Sequence, residues 1–313
     1  MRETFDRVLR RGPALLLLVA VLAWPAWGEE HPPAAVEHSI EKGLRVFVCG
    51  HSFHIFIGNS LNMLAAEAGL KQHELVGVQG LPASEVSQHW ERGGKVKAAL
   101  NSGRVDVLTL SPAWKMPDEA IDKFVDLALT NSPGVRVILQ QSWSGYDGAD
   151  PPHRIRNNAE RDGKTLDDLK PQLDRKRDIF LRQAQEINKR HRKQVVFVAP
   201  VAQAVLSLRE RVMHGGAPGI QRQSELFADA LGHGKEPVKN LVSYVFFACI
   251  YHRNPAGMKA FKKDGNEPWN LLDDLLQKIA WETVISHGQS GVVAQQPEHG
   301  TELRMDRAGK NHE

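Results

Sequence analysis

From Leu44 to Ile250, short runs of β-branched and apolar residues alternate with stretches whose apolar positions recur every three or four residues. Leu44 to Cys49 (LRVFVC) predicts a buried strand. It runs into Gly50-His51-Ser52-Phe53-His54 and then a helix with Ile57, Leu61, Leu64 and Ala68 on one face and Gly69 as its stop. Leu75 to Val78 predicts a second strand, followed by Gly80 and a helical stretch carrying Val86 and Trp90. Val105 to Leu110 predicts a third. Pro117 is then expected to open a helix, with Asp118 and Glu119 in its first turn and Ile121, Phe124, Val125 and Ala128 on one face. Val135 to Gln140 and Val195 to Val198 predict the fourth and fifth strands. A helix over 201–213, a Gly/Pro loop over 214–219 and two further helices follow.

Strands alternating with helices imply a parallel sheet covered on both faces. Five such units predict an α/β fold: a flavodoxin-like, doubly wound, five-stranded parallel sheet in three layers. Its ligand crevice lies at the carboxyl ends of the strands. The domain is expected to span 44–290. Within it, 148–193 is a polar insert: a loop over 148–164 and a heavily charged helix over 166–193, which together read as a solvated face. Residues 29–43 read as a flexible lead-in and 291–313, without apolar periodicity, as a disordered tail.

The N-terminus changes the picture. Arg2, Arg7, Arg10 and Arg11 precede a short apolar stretch from Pro13 to Leu22, and Ala26-Trp27-Gly28 supplies small residues at a plausible cleavage point. This pattern predicts a signal peptide over 1–28 and export to the periplasm or the exterior, with no membrane span left after cleavage. The 313-residue chain carries a formal +3; loss of this segment removes four Arg against Glu3 and Asp6, leaving +1. That balance, with no basic stripe interleaved with aromatics, gives no support to nucleic-acid binding. Cys49 and Cys249 both sit inside apolar runs and are expected to be free thiols.

Ser52 stands where the first strand meets the next helix, at the crevice. There its hydroxyl would be presented as a nucleophile and its backbone N–H toward developing negative charge; a serine at such a junction equally suits a helix cap. Asp229-Ala230-Leu231-Gly232-His233 places a carboxylate four residues before an imidazole, just ahead of an apolar helix carrying Val238, Leu241, Val242, Val245, Phe246, Cys249 and Ile250. A serine hydroxyl needs a base to take its proton, and the base needs an acceptor to orient it.

Together, Gly50-His51-Ser52-Phe53 after the first strand, Gly80 after the second and the Asp229/His233 pair before the closing helix resemble the SGNH (GDSL-type) esterase superfamily. The resemblance covers about Arg45 to Gly257. It implies a serine esterase with Ser52 as nucleophile, His233 as base, Asp229 as its partner, and the N–H groups of Ser52 and Gly80 holding the oxyanion. Three features depart from the family pattern. His51 stands where Asp or Asn is usual, Asp229 and His233 are four apart instead of three, and Ser111-Pro112-Ala113-Trp114 lacks the oxyanion Asn expected after the third strand. The Ser111 hydroxyl and the Trp114 indole are the alternatives for the missing donor.

His51, Gln141 and Trp143 are candidate substrate-binding residues, because amides and aromatics at the fourth strand's end suit a sugar ring. His51 and His54 lack a third ligand at metal-site spacing, and no phosphate loop or dinucleotide glycine pattern follows any strand, so no metal or other cofactor is expected. The expected substrate is a small-molecule or glycan ester bearing a small acyl group. The competing reading is an SGNH-like protein that binds glycan without turning it over.

Overall fold

The computed structural model describes residues 39–148 and 154–293. The elements run β1 (Arg45–Gly50), α1 (Ile57–Glu67), β2 (Glu74–Gly80), α2 (Val86–Arg92), α3 (Lys95–Asn101), β3 (Val107–Leu110), α4 (Glu119–Asn131) and β4 (Arg136–Gln140). They continue with α5 (Leu166–His191), β5 (Val196–Ala199), α6 (Val201–Met213), α7 (Glu236–Tyr251) and α8 (Glu267–Ile285). The five strands form one parallel sheet in the order β2-β1-β3-β4-β5. This is the flavodoxin-like winding expected from the sequence. Its direction reverses between β1 and β3, so the crevice opens where Gly50 and Leu110 end their strands.

Alternation along the strands divides the core in two. Val46, Val48, Val107 and Ile138 face α1, α6 and α7, whereas Phe47, Cys49, Leu108 and Val137 face α4 and α5. Both faces are apolar, as a sheet buried on two sides requires. The two cysteines are free and buried in different cores. Fourteen of the sixteen residues of α7 are buried; a helix apolar all round needs cover on every side, and α8 packs over it. This rigid helix follows directly on the loop carrying Asp229 and His233.

Several boundaries differ from expectation. Pro117 precedes α4 instead of opening it: Asp118 is the cap, its carboxylate accepting from the Ala120 N–H at 3.0 Å. α3 was not anticipated, because only Val96 and Leu100 of it are buried, too few to register as a period. Ile40, at the end of the expected lead-in, donates to the Tyr251 carbonyl (2.9 Å) and packs on the core. Val292, in the expected tail, is buried there as well. The expected signal segment and the rest of the tail lie outside the described residues. Among the described residues no helix is long and apolar enough to cross a membrane.

The polar insert is not simply a solvated face. α5 buries Leu169, Phe180, Ala184 and Ile187. Ahead of it, the turn over Asn158–Gly163 buries Arg161 completely. Sequence reading places arginine on the surface because an unpaired charge is costly to bury; only the fold supplies the partners that permit it.

Candidate active site

β1 delivers the chain to Gly50, whose lack of a side chain is required: a Cβ there would lie 2.8 Å from Ser111 Cβ. Residues 51–56 then make a tight turn, with the His54 and Ile55 N–H groups both donating to the His51 carbonyl (2.9 and 3.1 Å). α1 begins only at Ile57 and Phe56 is its cap, so Ser52 does not cap the helix. No described residue accepts a hydrogen bond from the Ser52 N–H, which leaves that donor open. Gly80 ends β2 in register with Gly50. The ladder there uses the Leu81 N–H, which donates to the Gly50 carbonyl at 3.1 Å and leaves the Gly80 N–H outside the pairing. A Cβ on Gly80 would meet Ile55 at 2.9 Å.

The segment over 227–234 is pinched at its base by an antiparallel bridge between Phe227 and Gly234 and by the Ala228 N–H donating to the His233 carbonyl (2.8 Å). Gly232 takes φ +101°, a conformation ordinary side chains rarely adopt. It is the extra residue of the four-residue spacing, and its conformation brings the Asp229 carboxylate back onto its own loop. Asp229 Oδ1 accepts from the Gly232 and His233 N–H groups (2.9 and 3.1 Å), and Oδ2 accepts from His233 Nδ1 at 2.6 Å.

His233 Nε2 lies 2.9 Å from Ser52 Oγ. A carboxylate only accepts, so Nδ1 carries the imidazole proton and Nε2 is free to accept from the serine hydroxyl. Partial burial pushes the Asp229 carboxyl upward, but the bonds from His233 and Gly232 outweigh it and hold the group below the ordinary carboxylate range. The structure thus joins Ser52, His233 and Asp229 in one hydrogen-bonded chain. It can deprotonate a hydroxyl and stabilise the resulting imidazolium.

The turn is supported from beneath by buried polar groups. Gln140 donates to the Phe53 carbonyl (3.0 Å) and accepts from His54 Nδ1 (2.8 Å), while His54 Nε2 accepts from Thr109 (2.8 Å). Complete burial lowers the pKa of His54 to about 3 and keeps it neutral. His51 is buried too and lowered to about 4, chiefly by desolvation. Its Nδ1 accepts from the Phe53 N–H (3.2 Å), so Nε2 carries the proton and donates to Ser111 Oγ (3.1 Å). Ser111 is fully buried. Gln141 is fully buried as well, accepting from Gln203 (2.8 Å). His51 and Gln141, both expected at the substrate, are thus buried and hydrogen-bonded to neighbouring groups.

Trp143 stacks on Phe53 (centroids 4.6 Å apart) and donates its indole N–H to the Gly232 carbonyl (2.9 Å), tying the Ser52 turn to the His233 loop. Trp114, by contrast, is 51% exposed. Its backbone is fixed by Glu85, whose carboxylate accepts from the Ala113 and Trp114 N–H groups (3.0 and 2.8 Å).

Sequence reasoning missed Arg161. Its guanidinium donates to the Asp229 and Ala230 carbonyls (both 3.1 Å) and to Asn158 (3.2 Å), and pairs with Asp147, which also accepts from Arg209 (2.7 Å). Five donors in a fixed fork let one arginine hold the Asp229 loop from below. Nothing in local sequence signals this, since Arg161 lies in a polar stretch of mixed charge.

No protein-family model matches this sequence, and no curated protein shows significant similarity to it. Solved structures similar to it include a protein described as a GDSL-like lipase from Parabacteroides merdae (12% identity, TM-score 0.42), covering 66% of this chain and 94% of that one. Another is the periplasmic domain of a lipopolysaccharide acetyltransferase from Salmonella Paratyphi A (12%, TM-score 0.40; 64% of this chain, 81% of that one). A third is a gut microbial diltiazem-metabolizing enzyme (13%, TM-score 0.39), of which this chain covers 48% while 68% of this chain is matched.

Proposed function

We propose that the protein is a serine esterase of the SGNH type. The observation that carries this reading is the hydrogen-bonded chain Ser52 Oγ–His233 Nε2, His233 Nδ1–Asp229 Oδ2 at 2.9 and 2.6 Å, set at the crevice of a doubly wound sheet. In the first half-reaction, Ser52 Oγ attacks the ester carbonyl as His233 Nε2 takes its proton, and Asp229 favours the imidazolium. The oxyanion is held by the open Ser52 N–H and by Gly80. Collapse expels the alcohol with the proton from His233. Water, deprotonated by the same imidazole, then releases the acid and restores Ser52. Ser111 is fully buried, its Oγ accepting from His51 and lying 3.4 Å from Ser142 Oγ, so in this reading two backbone donors carry the oxyanion where three are usual in the family. Loss of one such donor costs about a hundredfold or more in rate, and a slow enzyme is expected.

The exported carbohydrate-ester substrate belongs to the same proposal. Its support is the half-exposed Trp114, close to Gly145 (indole N 4.0 Å from a Cβ placed there): an exposed indole on a backbone pinned by Glu85 suits the apolar face of a sugar ring. The test is hydrolysis of p-nitrophenyl acetate together with labelling by a fluorophosphonate. Both are expected in the native protein and absent from Ser52→Ala. Equal hydrolysis by the two proteins overturns the nucleophile assignment, and absence of labelling with glycan binding retained replaces the enzyme by a binding protein.

A further inference from the structure

A small cleft lies between α5, α6 and the segment after β4, with Trp143 in its wall. Its open volume is about 30 Å³, room for about two waters or for one carboxylate-sized group. Ser142, Ser144, Gln172, Lys176 and Arg209 bring polar groups to it. The charge there is lopsided. Asp147 is claimed from two sides by Arg161 and Arg209, which leaves that cluster one positive charge in excess. Lys176 adds another. It makes no hydrogen bond or ion pair among the described residues, and burial holds its ammonium below the ordinary lysine range. Glu85 supplies an opposing charge beyond ion-pair distance, its carboxylate oxygens also accepting from the Ala113 and Trp114 N–H groups. A partly desolvated cation whose opposing charge lies beyond ion-pair distance gains when an anion joins it directly.

Two wall residues connect the cleft to the region of Ser52 and His233. Trp143 is both a lining residue and the indole that stacks on Phe53 and bonds the carbonyl next to His233. Ser142 Oγ lies 3.4 Å from Ser111 Oγ, which is bonded to His51 beside the nucleophile. We propose that this cleft selects esters that carry a negatively charged group, with Lys176 as the countercharge. The inference rests on the esterase reading for its substrate class, while the anion site itself does not depend on turnover. A carboxylate on the acyl side and one on the alcohol side share the same chemistry.

Four esters separate these sources: p-nitrophenyl hemisuccinate carries the charge on the acyl group, 4-acetoxybenzoate carries it on the alcohol, and p-nitrophenyl acetate and phenyl acetate are their neutral counterparts. At least one charged ester is expected to exceed its neutral counterpart (phenyl acetate for the second) tenfold or more in kcat/KM. Lys176→Met is expected to erase that ratio, and Lys176→Arg to retain it. Calorimetric titration with free succinate reports the site without chemistry. Binding by the native protein that weakens tenfold or more in a folded Lys176→Met supports the cleft even if no ester is hydrolysed, an outcome that removes only the esterase reading. An unchanged ratio in Lys176→Met overturns the proposal, as does equal succinate affinity or no succinate binding by the native protein.

Discussion

Ser52 Oγ and His233 Nε2 stand 2.9 Å apart although 181 positions separate them in the chain. The contact is assembled from two rigid pieces, the turn leaving β1 and a pinched loop in front of the buried helix α7. Trp143 and Arg161 bridge or brace them. Each of these relationships has a measurable consequence.

Asp229→Asn keeps the size of the side chain but offers His233 an amide in place of a carboxylate. The imidazole then loses both its fixed tautomer and the charge that favours its cation. A fall in kcat of about a hundredfold to ten-thousandfold is expected, with KM within threefold; steady-state kinetics on p-nitrophenyl acetate measures it. A kcat within threefold of native would remove Asp229 from the mechanism.

Arg161→Lys retains a positive charge beside Asp147, but a single ammonium cannot serve Asn158, Asp147 and the Asp229 and Ala230 carbonyls together. The loop loses its lower support and the base drifts from the hydroxyl. Small misplacement is expensive in rate, on the order of a hundredfold for 1 Å, so a tenfold or greater drop in kcat is expected while KM changes little. Near-native kcat would mean that Trp143 and the Phe227–Gly234 bridge hold the loop unaided.

Gly50→Ala forces a methyl to within 2.8 Å of Ser111 Cβ and 3.0 Å of His54 Cδ2. Both neighbours are buried and hydrogen-bonded, so neither can yield freely. A loss of about 1–3 kcal/mol is expected by analogy with other overpacked sites, read from urea unfolding midpoints, together with reduced hydrolysis as the turn carrying Ser52 shifts. An unchanged midpoint contradicts the close approach.

Acid should destabilise the fold well above the carboxylate range. His54, lowered to about 3, stays neutral when folded but takes up a proton near pH 6.5 when unfolded. Below pH 6.5 the unfolded chain therefore binds more protons, and stability falls as the pH drops toward the folded pKa. At pH 5 this linkage amounts to about 2 kcal/mol for one such histidine. His51, lowered to about 4, works in the same direction. His54→Gln, whatever its effect at pH 7, should lose about that much less stability between pH 7 and pH 5. Identical pH slopes for the two proteins would show that His54 titrates normally.

The sheet and its winding were legible along the chain because burial on both faces leaves uninterrupted apolar runs, and helical covers leave a period of three to four. Ser52, Asp229 and His233 could be nominated from their places relative to those elements. Other nominations met the limit of local reading. His51, Gln141 and Ser111 lie where residues at strand ends should, but the direction of a side chain depends on what packs around it, and here buried partners claim all three.

What the sequence determined by itself was the set of elements, since patterning is a property of neighbours along one strand or helix. What only the tertiary structure decided was which polar groups meet. The cover of Arg161 by Asp147 and two loop carbonyls, the meeting of Ser52 with His233, and the placing of Lys176 beside Trp143 all join residues remote in the chain. Hydrogen bonds and charge pairs act over a few ångströms in space, and no pattern of spacing encodes them.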